Sequence, residues 1–310
     1  MIDPVDPCLA PRASASVTIG VFDGVHRGHR ALVDRVCEGA ARLGGESVAV
    51  TFDPHPAAIL APEHEPPYLT DTLEKVERLR EAGVARVVVL PFSIELAALS
   101  PEEFVDRHLL SQVNLAELII GPDFALGHGR VGDARRLAAI GSSRGFVVEV
   151  VPARLDGVEV ISSSRIRRLV QRGDIVLAAG LLGRPYRVAG RVIRGDGRGR
   201  QLGIPTANLD VARGCCRPAA GVYAVRIRTG SGFPEAGHAG VMNVGIRPTF
   251  DGVGLRFEVH RFDWEGDALD EWWEIDLIER LREERRFDSP AELAGQIQAD
   301  IVRSRELLSR

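Results

Sequence analysis

Lysine is almost missing from this sequence. Of 310 residues only Lys75 is a lysine, and nearly all the positive charge is arginine. Any phosphate group held here must be met by arginine, histidine, hydroxyl or backbone N–H groups. No lysine follows a glycine cluster, which excludes the Walker A loop. No Gly-x-Gly-x-x-Gly follows the first apolar run, which excludes a nicotinamide or FAD-redox Rossmann site. Cysteine is scarce too: Cys8, Cys37, Cys215 and Cys216 lack the paired spacing of a zinc site. The adjacent pair reads as incidental, and a reducing, cytoplasmic location is expected. No apolar run approaches bilayer length. The first twenty residues carry Asp3, Asp6 and several prolines without a basic start, so they do not read as a signal peptide. A formal charge of -4 gives no bulk attraction to nucleic acid or anionic membrane, and neither is expected as a partner.

The length suits two modest domains, and 45% hydrophobic residues is ordinary for a globular chain. The most informative stretch is Thr18-Ile19-Gly20-Val21-Phe22-Asp23-Gly24-Val25-His26-Arg27-Gly28-His29-Arg30. Val17 to Phe22 fits a buried strand, and Asp23-Gly24 a tight turn. His26 and His29 then open a helix whose apolar positions run through Leu32, Val33, Val36 and Ala40. Two imidazoles beside the free N–H groups of a helix start make a site for phosphate. Gly20 and Gly24 let the backbone approach a nucleotide closely. Histidines three apart are not the metalloprotease pair, which stands four apart around a glutamate.

Further strands are expected at Ser47 to Phe52, Arg86 to Leu90, Leu118 to Ile120 and Phe146 to Val151. Helices are expected at Thr70 to Ala82, capped by Thr70 or Asp71, and around Phe104 to Leu110. This alternation predicts a doubly wound, mostly parallel α/β sheet covered on both faces. Asp53-Pro54-His55-Pro56 follows the second strand, where such sheets place ligands; a stiff loop explains it equally well. Gly121 to Arg130, with Asp123, Phe124 and three glycines, suggests a binding loop. Ser162, Ser163 and Ser164 precede Arg165, Arg167 and Arg168. If Ser162 or Ser163 caps a helix, hydroxyls, N–H groups and guanidinium groups converge on an anion; a capped helix with a solvated basic face is the plainer alternative.

From Gly183 the pattern changes to short, glycine-broken strands: Tyr186 to Ile193, Gly221 to Arg228, Gly240 to Val244, Leu255 to Arg261 and Trp273 to Ile278. That spacing favours a small closed β-barrel, followed by a helix over Pro290 to Leu308. Gly195, Gly197, Gly199 and Gly203, with Arg200 among them, suit a flap whose amides wrap phosphates; a floppy hairpin followed by a strand explains the glycines alone. Thr206 and Asn208 face the same way in an extended chain and offer two oxygens to one Mg²⁺. Glu258 is an ordinary solvated carboxylate on an outer barrel face, or a proton acceptor if it faces that metal.

The His-x-Gly-His frame resembles the HxGH nucleotidyltransferases, and the whole stretch resembles the bacterial bifunctional riboflavin kinase/FAD synthetase family. The resemblance extends from residue 17 to about 303 and rests on at least six motifs. It implies a nucleotidyltransferase-like domain over residues 1–182 and a riboflavin kinase barrel over 183–310. It also implies two reactions: riboflavin and ATP give FMN and ADP, and FMN and ATP give FAD and pyrophosphate. His26 and His29 would steady ATP phosphates with Gly20, Phe22, Asp23, Gly24 and the Ser162 to Arg167 cluster. Asp53, His55, Asp123 and Phe124 would line the flavin and adenine pocket. In the second half, Glu258 would be the base and Asn243, Arg247, Arg282 and Glu284 pocket residues. Mg²⁺ and ATP would serve both reactions, and any self-association would be weak or transient. One departure stands out: Asp270-Glu271 replaces the usual Tyr-Gly, a change that matters if the glycine position needs positive φ. A chain retaining one activity, or a flavin-binding regulator, are the alternatives.

Overall fold

The computed structural model describes residues 13–195, 203–229, 237–249, 252–264 and 266–309, with side chains left aside at 247–249, 252, 253 and 290. The chain divides into two compact units, Met1–Pro66 with Thr72–Ile161, and Pro67–Asp71 with Ser162–Arg310. No helix among the described residues is long and apolar enough to cross a membrane.

The first unit runs β1 (Ser14–Ile19), α1 (Arg27–Leu43), β2 (Glu46–Asp53), α2 (Pro56–Leu60), α3 (Thr72–Glu81), β3 (Arg86–Pro91), α4 (Ile94–Ala98) and α5 (Pro101–Phe104). A π-helical turn, Val105–Leu110, leads to β4 (Asn114–Ile120), α6 (Ala134–Arg144), β5 (Val147–Val150) and the small hairpin β6 (Leu155–Asp156) and β7 (Glu159–Val160). The first five strands pair in parallel in the order β3-β2-β1-β4-β5. The chain therefore builds outward from β1 to β3, then restarts on the other side of β1 with β4. The reversal leaves a crevice at the strand ends between β1 and β4, where open α/β sheets bind ligands.

β1 is buried on both faces, yet only one of them is apolar: Ser16 and Thr18 on the other are 0% exposed. Ala15, Val17 and Ile19 join a core with Phe104, Leu109 and Leu118. On the other side Ala49 packs with Phe22, Val25, Val33 and Leu79. The strand is shorter at its end than the apolar run suggests, stopping at Ile19 rather than Phe22. Phe22 instead adopts φ 51 and is 1% exposed, so its ring anchors the loop into the core. The fourth strand begins earlier than its apolar triplet, at Asn114, because its first turn pairs with Ser14 and Ala15 of β1.

In the second unit come α7 (Ser163–Arg172), α8 (Ile175–Leu182), β8 (Tyr186–Ile193), β9 (Ala207–Val211), β10 (Gly221–Thr229), β11 (His238–Thr249), β12 (Gly252–Arg261), β13 (Trp272–Arg282) and α9 (Pro290–Leu308). Six strands close an antiparallel barrel in the order β10-β11-β12-β9-β8-β13. β9 is the member absent from the five expected strands; it lies directly after Thr206 and joins β12 to β8. Period-two burial is plain on β12, where Phe257 and Val259 are buried while Glu258 and His260 are not. Helix α9 covers an outer patch of the barrel: Ile301 and Leu307 pack against Val222, Ala224, Val241 and Leu281. Ser289 caps it by accepting the Glu292 N–H at 3.2 Å.

Candidate active sites

The loop from β1 to α1 is irregular for a reason. Phe22 (φ 51), Gly24 (φ 82) and Val25 (φ 38) are all left-handed, a conformation costly for a bulky or β-branched residue. It persists because both apolar side chains are buried and fix the loop's path. The path delivers His26, 3% exposed, as the N-cap of α1. Its Nδ1 accepts the His29 N–H at 3.3 Å, an imidazole in the place usually taken by serine or aspartate. That bond puts the proton of a neutral His26 on Nε2. The His26 and His29 rings stack with centroids 3.6 Å apart, and Phe22 meets His29 edge-on at 5.2 Å. His29 Nδ1 is buried with no hydrogen-bond partner among the described residues. Burial, and secondarily the His26 charge, hold His29 well below the usual histidine range. Near neutral pH, His29 therefore stays neutral and supplies hydrogen bonds rather than a full charge.

The other expected residues of this unit have structural bonds of their own. Asp53 accepts the Thr72 hydroxyl at 2.8 Å, and His55 Nδ1 accepts the Ala57 N–H at 3.0 Å, capping α2. Lys75, the one lysine, is buried and donates to the Phe52 carbonyl at 3.0 Å, at the end of β2. After β4, Asp123 is exposed while Phe124 packs against the core. The loop glycines do more than leave room for a ligand. At Gly127 (φ 76) a Cβ would sit 2.8 Å from the Pro101 nitrogen, so this residue lets the loop lie flat on α5.

Of the serine-rich run, Ser162 is the cap: its hydroxyl accepts the Arg165 N–H at 3.3 Å and opens α7. Ser163 and Arg165 are half-buried and Ser164 is exposed. Arg167 is buried, and its Nε donates to the Pro67 carbonyl at 2.8 Å. This arginine therefore also fastens Pro67–Asp71, a strap completed by the Tyr68 N–H donating to Gly214 and the Cys216 N–H donating to Tyr68.

In the barrel, strand register brings together residues far apart in sequence. Asn243 lies opposite Glu258 across β11 and β12, and Glu258 opposite Asn208 across β12 and β9. Directly opposed residues share a sheet face, so the three form a row on the face away from Phe257 and Val259. Asn208 is 8% exposed, and the Glu258 side chain 28%. Arg256 donates to Glu258 at 3.3 Å. A Cβ on Gly195 would fall 2.0 Å from Asn208 Nδ2, so the asparagine amide rests directly on this glycine. Gly195, Thr206 and Asn208 line a cleft of about 360 Å³, within the usual range for small-ligand sites. Gly203 is exposed, and Gly197, Gly199 and Arg200 lie outside the described residues. Arg247 sits on β11 opposite Gly254. Arg282 is held by Asp300 of α9, Nη2 to Oδ2 at 2.8 Å, and Glu284 accepts the Ile246 N–H at 3.2 Å. These last two buttress β13 and β11 around the row.

Two family models divide the chain in the same sense: FAD synthetase matches residues 10–165 and riboflavin kinase residues 182–308. Over 293 residues the chain is 42% identical to the bifunctional riboflavin kinase/FMN adenylyltransferase of Pseudomonas fluorescens, covering 94% of this chain and 92% of that one. This chain belongs to the bifunctional riboflavin kinase/FMN adenylyltransferase family. The Escherichia coli K12 relative is 36% identical over 297 residues, covering 96% and 94% of the two chains. The Listeria monocytogenes relative is 34% identical over 286, covering 92% and 89%. A crystal structure named Macrolide-efflux Protein, from Streptococcus pneumoniae, superposes with a TM-score of 0.86 at 32% identity, covering 95% of each chain.

Within the family frame, the Asp270-Glu271 departure is accommodated. Positive φ occurs at Asp270 (φ 67), not at Glu271, and aspartate is among the residues that tolerate it best. The turn is closed by the Asp270 N–H on Val192 and the Val192 N–H on Glu271. Glu271 also accepts the Trp273 indole N–H at 2.9 Å, anchoring a fully buried ring. Sequence reasoning overlooked Arg261 and Trp264, which line the barrel cleft. Neither belongs to a motif, and only the strand end that places them reveals them.

Proposed function

We propose that FMN adenylylation is carried by residues 1–182 and riboflavin phosphorylation by residues 183–310. In the first reaction the FMN phosphate attacks the α-phosphate of ATP, forming FAD and releasing pyrophosphate. The nucleophile is already ionised, so the protein's task is to gather two anions and stabilise charge on the departing group. His26, His29 and the N–H groups of α1, with Gly20, Phe22, Asp23 and Gly24 shaping the loop, are the proposed donors. Ser162, Ser163, Ser164, Arg165 and Arg167 are proposed to serve the same nucleotide, and Asp53, His55, Asp123 and Phe124 to border flavin and base. The observation supporting this half is the stacked histidine pair at a helix start beside the sheet's reversal point, with His29 held neutral by burial.

In the second reaction the 5′-hydroxyl of riboflavin takes the γ-phosphoryl group of ATP, giving FMN and ADP. The register row supports this half: Glu258 is placed to accept or orient the hydroxyl proton beside Asn208 and Asn243. Thr206 and Asn208 fit Mg²⁺, a hard cation that takes a few protein oxygens and completes its shell with water and phosphate oxygens. The ion would neutralise charge on the transferring phosphoryl group. Gly195 to Gly203 would cover the phosphates, and Arg247, Arg282 and Glu284 would frame the pocket. A cytoplasmic location suits the free thiols of Cys37, Cys215 and Cys216, and self-association is proposed to be weak or transient.

The test is a time course resolving riboflavin, FMN and FAD for full-length His29→Ala and its parent, supplied first with riboflavin and then with FMN. FAD formation should fall roughly 10²-fold, the usual effect of removing one well-placed donor, while FMN formation continues. Parental FAD output from FMN would sink the histidine site.

A further inference from the structure

The lining of the barrel cleft that holds Gly195 and Thr206 also contains a cation that the proposed chemistry does not use. Val259, Arg261 and Trp264 line the cleft. Arg261 ends β12 opposite Gly240, which presents no side chain against it. Its guanidinium lies 5.2 Å over the Trp264 ring, and that indole is braced edge-on by Trp273 at 5.8 Å. One Nη donates to His238 Nε2 at 3.1 Å. Nε is out of water with no hydrogen-bond partner, and no carboxylate forms an ion pair with Arg261, among the described residues.

Other guanidinium groups of this barrel are treated differently. Arg187 and Arg228 pair with the buried Asp276, and Arg282 pairs with the buried Asp300. Removing a cation from water is unfavourable unless an anion meets it. Desolvation holds the Arg261 guanidinium below its ordinary value, opposed only by the more distant charge of Glu271. A stiffly seated, unpaired arginine on the wall of a ligand-sized cleft is built to receive an anion from outside the chain. The nucleotide is the anionic substrate of the reaction proposed for this cleft. Apart from the chain's arginines no other long cation is available, since Lys75 belongs to the first unit.

We propose that Arg261 is a nucleotide-binding residue of the riboflavin kinase reaction, seated on Trp264 and pairing with the phosphates of ATP. The proposal rests on the assignment of that reaction to this barrel. Its test uses the full chain with saturating riboflavin and varied ATP. Arg261→Met should raise the KM for ATP in FMN formation about tenfold, the scale of one charge-assisted hydrogen bond, with kcat within about twofold. Arg261→Lys should recover most of the loss, and FAD formation from supplied FMN should not change in either variant. A parental KM in folded Arg261→Met, or a fall in kcat with KM unmoved, overturns the proposal. Should Arg261→Met fail to fold, Arg261→Lys decides alone: a KM raised about threefold at parental kcat supports the pairing, and a parental KM overturns it. A parent chain that forms no FMN from riboflavin would instead break the assignment of the kinase reaction.

Discussion

The two candidate sites are built by opposite means. The histidine site depends on irregular backbone: Phe22, Gly24 and Val25 are left-handed, and buried side chains hold them there. The barrel site depends on regular backbone: Asn243, Glu258 and Asn208 stand in one row because three strands pair without a slip. In the first, chemistry comes from neighbours in sequence, three residues apart on one helix start. In the second it comes from Asn243 and Glu258, which lie 35 and 50 positions after Asn208. A loop site can be tuned residue by residue, whereas a register site moves as a ladder. The histidines gain their character from burial, while the carboxylate of the row keeps a water-facing surface.

Glu258→Gln makes the sharpest break between the two. The change keeps the shape of the row and removes only the proton-accepting charge. Riboflavin phosphorylation should fall by about 10²-fold or more, the usual range for losing acid–base help. Conversion of FMN to FAD by the same full-length protein should be unaffected. Parental FMN formation would remove Glu258 from the chemistry and leave the row as a structural feature of the ladder.

This contrast also explains what the sequence could and could not disclose. His26 and His29 were legible because a helix start is a local feature: three-residue spacing after a turn predicts one face and free N–H groups. The parallel sheet was legible from alternating apolar runs, and α9 from the helical spacing of Leu293, Ile297 and Ile301, whereas its capping Ser289 came only with the structure. The strand Val17 to Phe22 was misread at its end because a buried loop residue and a buried strand residue look alike in sequence. Phe22 is apolar for the sake of the core, not the sheet. β9 was obscured by the polar Thr206 just before it and by Asn208 within it, which break an apolar alternation although Asn208 is buried against Gly195. That Glu258 faces Asn208 is a matter of register, which strand sequences specify only through packing and turn geometry. Arg261 was invisible for the same reason: its significance lies in lacking, among the described residues, the carboxylate partner that Arg187 and Arg282 have.

A smaller effect is expected from Gly195→Ala. The added Cβ would meet the Asn208 amide at 2.0 Å, far inside contact distance, so the asparagine must shift. Because Asn208 lies opposite Glu258 in the ladder, the shift changes the proposed metal position without touching the carboxylate. FMN formation should fall about tenfold, as misplacement of an orienting group by a fraction of an ångström costs tens-fold rather than thousands-fold. Higher Mg²⁺ should recover part of the loss, and FAD formation from FMN should again be unchanged. Parental kinetics at limiting Mg²⁺ would show that the Gly195–Asn208 contact is only packing.

The subtlest difference between the regions concerns protons. In the folded chain His29 is held well below its ordinary value of 6.5, by burial first and by His26 second. Unfolded, it takes up a proton near 6.5. Between the lowered folded value and 6.5 the unfolded chain therefore binds more protons, and stability must fall as pH drops through that window. Above about pH 7 both states are neutral at this position and the contribution is absent. His108 and His238 are likewise lowered, so the parent's pH dependence alone does not isolate the site. His29→Phe removes one titrating group and keeps a flat ring in the stack beside Phe22 and His26. Urea midpoints of parent and variant at pH 7.5 and 5.5 give the difference directly, since His108 and His238 are common to both. The parent should lose more stability than His29→Phe on acidification. An equal loss would mean that His29 protonates in the folded protein as readily as in the unfolded one, and that the stacked pair accommodates a charge.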